Sequence, residues 1–402
     1  MRFGTGSLFV APRLRGARFV YRARTQRDLL IAEVPVETVR RLRRQFRADP
    51  DRGFQVLSAT PLSVAVSPQP LNSDWSSKSL RDVTAHIGAS VVWPQTRGVG
   101  VRIAVIDSGI SQSLKEIPRV KRSRQSRSFI NTLKPTDADP WHDNSGHGSM
   151  VAAIAAGTSS FGGRYDGVAP DATLISCKTR VDAVDVYLAF DRLAALLKDR
   201  RTVSHLVILC AFALDGPPSP SDTAIAQLVE LVKLAADRGA LIVFAAGNSH
   251  PPKGWNDSRG TVAGTSIWGP SAMEDVLCLG SVSELEDMSP DPAAPNAPCH
   301  HCSSRGPGVL GLSFHKPDCV APTYGETVWG NGYVAMRWWG TSGAAAQAAG
   351  VAALIWARFP QLTAAEVRKA IRHSCKGLNL APEQCGFGRI DCDAALQLAS
   401  SM

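Results

Sequence analysis

From Ile87 onward the chain alternates short, largely apolar runs with segments long enough to form crossover helices. Strands are expected at Val101–Ile106, Thr173–Lys178, Leu206–Phe212, Leu241–Ala246 and Val276–Val282, with helices at 148–157, 182–198 and 221–238. Apolar runs of this length are buried strands, and alternation with helices means an α/β fold: a mostly parallel, doubly wound sheet covered on both faces. Such sheets bind ligands beyond the carboxyl ends of their strands. The residues that follow strand ends are therefore the ones to inspect.

At 402 residues the chain has room for one large α/β domain and a small companion. Apolar residues make up 44 % and charged residues 20 %, which excludes whole-chain disorder, collagen and coiled coil. No run approaches the ~18 apolar residues of a membrane-spanning helix, so no membrane span is expected. Residues 17–66 keep a different rhythm. Segments 18–24 and 29–34 read as strands, Val36–Arg47 as a helix with Val36, Val39, Leu42 and Phe46 on one face, and 54–59 and 62–66 as further strands. A Pro- and Ser-rich linker at 67–77 follows. The division is an N-terminal α+β module at 1–72 and a main domain at 73–402.

The net charge of +9 is concentrated at one end, because residues 1–60 hold 13 Arg and five acidic residues. A nucleic acid or a membrane surface reads such a patch, but nothing aromatic interleaves the arginines of 40–44. A solvated helix face, or a contact with the rest of the chain, is the expectation, and no nucleic acid partner is expected. Nine cysteines cannot all pair internally. Cys210 and Cys278 lie in apolar runs and read as core residues, whereas a Cys375–Cys385 or Cys385–Cys392 disulfide stays open. Cys299-His300-His301-Cys302 looks like half of a zinc site, but no second pair stands nearby, so no metal is expected there. The N-terminus shows no secretion-type apolar core. Together with the cysteine usage this points to the cytoplasm, although the acid-free, Arg-containing first 27 residues have a transit-peptide flavour.

Four residues in the main domain carry possible chemistry. Asp107 ends an apolar strand and is followed by Ser-Gly. His147 opens a helix between two glycines, which let other groups come close. Asn248 follows the strand of 241–246. Ser342 stands at the start of an Ala-rich helix, where free N–H groups favour a developing oxyanion. Each alone is an ordinary turn or cap residue. Together they form a constellation in the order Asp, His, Ser, with an amide between the last two.

That order and its flanks resemble the subtilisin-like serine protease family. The carriers are Val-Ile-Asp-Ser-Gly (105–109), Gly-His-Gly-Ser (146–149), Ala-Ala-Gly-Asn (245–248) and Gly-Thr-Ser (340–342). Secondary segments appear in order at 166–172, 303–307, 316–322 and 386–391, so the resemblance spans about residues 87–397. It implies acyl transfer from a protein or peptide substrate. Ser342 would be the nucleophile, His147 its base, Asp107 the orienting acid, and Asn248 an oxyanion donor, with no metal or organic cofactor needed. It also implies substrate contacts from Ala211, Phe212, Ala213, Ala246 and Gly247. The N-terminal module stands where the family often carries an inhibitory propeptide. A removed propeptide and a permanent regulatory domain docked on the peptidase domain are both open.

The chain departs from the family pattern in its nucleophile box and in its substrate strand. The nucleophile box usually continues Met-Ala-(Thr/Ser)-Pro, but here Gly343 replaces Met and Ala346 replaces Pro. The substrate strand usually reads Ser-Leu-Gly, but here Ala211-Phe212-Ala213 stands in its place. A Cβ in place of Gly is expected to narrow the cleft and favour small side chains near the cut. Calcium loops are not evident. These departures motivate a selective processing peptidase, with a catalytically impaired peptide-binding module as the alternative.

Overall fold

The computed structural model describes residues 78–402 except 131–134, 199–203, 219–222, 251–265, 290–299 and 307–315, together with 19–22, 25, 30–33 and 37. The expected helix at 36–47, the strands at 54–59 and 62–66, the arginines at 40–44, the linker and Cys299 lie outside the described residues, apart from Glu37. Near the N-terminus, β1 (Phe19–Arg22) and β2 (Leu30–Glu33) pair antiparallel, as the two apolar runs there suggested.

The main sheet has seven strands. They are β3 (Arg102–Asp107), β4 (Arg127–Ser128), β5 (Thr173–Lys178), β6 (Leu206–Cys210), β7 (Leu241–Ala245), β8 (Val276–Val282) and β9 (Cys319–Pro322). Their spatial order is β4-β5-β3-β6-β7-β8-β9, and every neighbouring pair is parallel. The chain starts in the middle with β3, builds toward β5 and then turns back toward β6. Asp107 closes β3 at the point where the direction of winding reverses, which is where a ligand crevice opens in such sheets.

Alternate residues of each strand serve opposite faces. Ile103, Val105, Leu174, Val207, Leu209 and Val243 join one core cluster, and Ala104, Ile106, Ile175, Ile208, Ile242 and Phe244 the other. The first face is covered by α2 (His147–Ala156) and α5 (Gly340–Arg358). The helices α1 (Leu80–His86), α6 (Ala364–His373) and α7 (Cys392–Ala399) extend that layer. The second face carries α3 (Ala183–Leu196) and α4 (Thr223–Asp237), with Phe190 of α3 stacked on Phe244 of β7. The backbone N–H of Thr25 donates to Asp191 of α3 at 2.8 Å. Between β9 and α5 a hairpin stands apart from the sheet, formed by β10 (Gly325–Trp329) and β11 (Gly332–Met336). It was not expected from the apolar pattern.

Eight cysteines fall among the described residues, and neither Cys375–Cys385 nor Cys385–Cys392 forms a disulfide. Cys210 and Cys278 are fully buried. His300, His301 and Cys302 form a short turn, and among the described residues no group of three or more His, Cys, Asp or Glu is arranged to hold a metal ion. Nor is any described helix long and apolar enough to cross a membrane.

The two helices that cover the first face are rich in small residues. From Gly340 to Trp356 every residue of α5 is buried, and most of that run is Ala or Gly. Gly350 lies where an added Cβ would come within 2.5 Å of the Val168 side chain and 2.9 Å of the Ala155 carbonyl, at the end of α2. Gly350→Ala is therefore expected to push the two helices apart and lower stability by about 1–3 kcal/mol, the usual penalty for overpacking. Urea unfolding measures it, and an unchanged midpoint would show that the contact has slack.

Candidate active site

The four residues singled out from the sequence converge at the carboxyl edge of the sheet. Asp107 and His147 are both buried, and Nδ1 of His147 lies 2.9 and 3.0 Å from the two carboxylate oxygens of Asp107. The close approach of β3 to the start of α2 depends on Gly148, because a Cβ there would collide with the carbonyl of Gly109. The second ring nitrogen of His147, Nε2, is buried and has no hydrogen-bond partner. Bonding to a carboxylate fixes Nδ1 as the protonated nitrogen, so the neutral ring presents Nε2 as a base.

Burial of the ring pulls the His147 pKa down, but the Asp107 charge, its hydrogen bond and the charge of Asp143 outweigh that, and the net shift is upward. A raised folded-state pKa means stabilisation that is fully present below the unfolded value and lost as the pH rises through the folded one.

Ser342 lies in the first turn of α5, where backbone N–H groups lack intrahelical partners. Its hydroxyl is buried and donates to the carbonyl of Ala211 at 2.8 Å, just beyond the end of β6. It does not engage His147, whose Nε2 stays unpartnered. Asn248 is held by its oxygen, which accepts from the N–H and the hydroxyl of Thr341, each at 3.0 Å. That orientation leaves its amide nitrogen Nδ2 buried without a partner. The site thus holds an unused base, an unused amide donor and a hydroxyl whose present acceptor is a strand-end carbonyl.

The residues expected on the substrate side divide. Ala211 contributes its carbonyl. The ring of Phe212 packs edge-on against Phe244 in the core, 5.5 Å between centroids, so only its backbone is open to a substrate. Ala213 places its Cβ 3.3 Å from where a side chain on Gly247 would begin, beside Asn248. Ala246 is buried in a small cluster with Ile267, Ala272 and Cys278.

The altered nucleophile box has a packing explanation. A Cβ at Gly343 would lie 2.8 Å from the Cβ of Trp339, which is buried with its indole donating to the Gly325 carbonyl at 2.8 Å. Ala346 lies inside α5, past the first turn, so the helix start that carries Ser342 does not depend on a proline there.

Two neighbours escaped the sequence reading. Trp329, at the end of β10, stands edge-on to His147 with ring centroids 6.2 Å apart. Asp143, four residues before His147, accepts hydrogen bonds from the turn that leads into α2.

A family model for the subtilase family matches residues 98–388. The chain belongs to the subtilase family. It is a subtilisin-like serine peptidase, a hydrolase, and the parallel sheet with its flanking helices is the fold expected of that family. Mycosin-4 of Mycobacterium tuberculosis is 30% identical over 362 residues, covering 78% of this chain and 74% of that protein. The Serine protease AprX of Bacillus subtilis is 27% identical, covering 74% of this chain and 66% of its own. Against the Calcium-dependent protease of Trichormus variabilis, 27% identical, the match takes in 79% of this chain but only 49% of that protein. Among solved structures, MycP1 from Mycobacterium smegmatis superposes with a TM-score of 0.56 at 20% identity, covering 84% of this chain and 90% of that one. At that identity the likeness speaks to fold.

The upward shift at His147 gives a direct test. Followed by NMR, the imidazole of the folded peptidase is expected to titrate above the ordinary histidine value, and to fall well below the wild-type midpoint in Asp107→Asn. Equal midpoints in the two proteins would mean that Asp107 does not set the charge state of the ring.

Proposed function

We propose that the chain is a serine endopeptidase that works through Ser342, His147 and Asp107 and that favours small side chains at the cut. The observation that carries this is the pair of buried, unpartnered nitrogens, Nε2 of His147 and Nδ2 of Asn248, in a site whose Ser342 hydroxyl is buried at a helix N-terminus. An unsatisfied buried polar atom is costly to keep, and both atoms are what acyl transfer requires. Nε2 takes the Ser342 proton as Oγ attacks the peptide carbonyl. The N–H of Ser342 and Nδ2 of Asn248 hold the oxyanion, the ion pair with Asp107 stabilises the imidazolium, and water releases the acyl group.

In this reading Ser342 leaves the Ala211 carbonyl when a substrate strand pairs with the end of β6 and offers its own N–H to the same acceptor. The present Ser342–Ala211 bond is also the observation that favours the second reading, a peptide-binding module with an impaired triad. Fluorophosphonate labelling decides between them. The full chain is expected to label, Ser342→Ala to lose all labelling, and Asn248→Ala to turn over peptide ~10²–10³-fold more slowly. A folded wild type that resists labelling would leave the binding-module reading standing.

The small-residue preference rests on Ala213, whose Cβ occupies space beside Gly247 and Asn248. Ala213→Gly is expected to raise kcat/KM for peptides with a bulky residue before the cut by roughly tenfold relative to those with alanine, since a site discriminates by about that much per small group. A wild type that cleaves after phenylalanine and alanine equally well would remove the role given to Ala213.

A further inference from the structure

Asp143 receives more hydrogen bonds than its place in the sequence suggested. One carboxylate oxygen accepts from the hydroxyl of Ser108 at 2.7 Å, the N–H of Ser145 at 3.0 Å and the N–H of Gly146 at 2.8 Å. The other accepts from the N–H and the hydroxyl of Ser149, at 2.8 and 2.6 Å. Ser145 and Gly146 are the two residues just before His147, and Ser149 lies two residues after it. A single carboxylate therefore grips the backbone on both sides of the imidazole. It also supplies the open N-terminus of α2 with an anion, where the helix dipole favours one.

The same carboxylate is tied to the other side of the site. The hydroxyl of Ser108 lies 2.7 Å from Asp143 and 3.1 Å from Asp107, and accepts from the hydroxyl of Ser145 and the N–H of Gly148. Its single proton goes to the nearer oxygen, that of Asp143. Ser149 in turn accepts from the N–H of Ser111, so the loop after β3 is stitched to the first turn of α2 at two points.

We propose that Asp143 is a positioning residue for the peptidase reaction, one whose carboxylate clamps the turn carrying His147 and registers it, through Ser108, against Asp107. The proposal rests on the triad reading above. Asp143 does not touch the reacting atoms, and it acts on the ring in two ways. It fixes where Nε2 points, and its negative charge adds to that of Asp107 in favouring the imidazolium that forms as Ser342 gives up its proton. The charged or aromatic groups that face the ring are Asp107 from β3, Asp143 from the turn before α2, and the uncharged Trp329 from the hairpin. Behind Asp143, Lys178 of β5 spends its ammonium on the Thr136 carbonyl and on Asn144, whose side-chain oxygen also meets the half-buried His142.

The test uses the full chain and a chromogenic peptide anilide ending in alanine, with rates taken across pH. Asp143→Asn keeps the size, removes the charge and turns an amide NH2 toward one of the two sets of donors, so it loosens the clamp as well. It is expected to lower kcat on the order of tenfold, a fraction of the ~10²–10⁴ that a well-placed acid–base supplies, with little change in KM. It is also expected to move the acid limb of kcat/KM to lower pH, because the imidazolium loses one stabilising charge. Ser108→Ala leaves both carboxylates charged but cuts the link between them. It is expected to lower kcat several-fold with the acid limb in place.

A folded Asp143→Asn enzyme with wild-type kcat and an unmoved limb would overturn the proposal, and so would wild-type kcat in Ser108→Ala, which also decides the matter if Asp143→Asn fails to fold. A wild type that neither hydrolyses the anilide nor labels with fluorophosphonate would instead fail the triad reading, and this proposal would fall with it.

Discussion

The arrangement of this molecule depends on how closely two helices of small residues approach one another. His147 opens α2 and Ser342 opens α5, and both helices lie on the same face of the sheet. Their contact is lined by Ala and Gly, with Gly350 set against Val168 and the end of α2 so tightly that a methyl group has no room. Core packing of that density transmits displacement instead of absorbing it. The separation of His147 and Ser342 thus depends in part on side-chain volume well away from either one.

Electrostatics completes what packing begins. Asp107 is buried where an isolated carboxylate would be expensive, and it is offset by the imidazole and by the backbone N–H of Ser108. The same site leaves Nε2 of His147 and Nδ2 of Asn248 without partners. These two atoms are an unused acceptor and an unused donor, whereas both Asp107 and Asp143 beside them are fully engaged by donors. That contrast separates this cluster from an ordinary buried ion pair such as Lys316–Asp318, where the lysine also donates to a carbonyl and the carboxylate also accepts a backbone N–H.

Much of the fold and of this site was legible in the sequence. The five long strands were readable because each carries a largely apolar run, and the expected and observed bounds differ by two residues at most. Asp107, His147, Asn248 and Ser342 were legible because each follows a strand end or opens a helix. Other parts were not. The two-residue strand β4 is too short to show a period. The β10–β11 hairpin carries a turn signal in Gly330-Asn331-Gly332, but its flanks are only half apolar, so the alternation is weak. Phe212 looked like a pocket wall from its place in the substrate strand, and its ring faces the core because Phe244 is there to receive it. The role of Asp143 rests on backbone N–H groups, which carry no residue identity, so spacing alone could not reveal it.

The Trp339–Gly343 pair shows how a departure from the family pattern becomes entrenched. The indole of Trp339 is anchored to the Gly325 carbonyl, and its Cβ fills the space that a side chain at 343 would need. Any side chain at 343 therefore requires the first turn of α5 to shift, and because every residue but glycine carries a Cβ, replacing the indole alone does not clear the space. Restoring methionine at 343 is thus a change of backbone as well as of one side chain, and substitutions at these two contacting sites will not add.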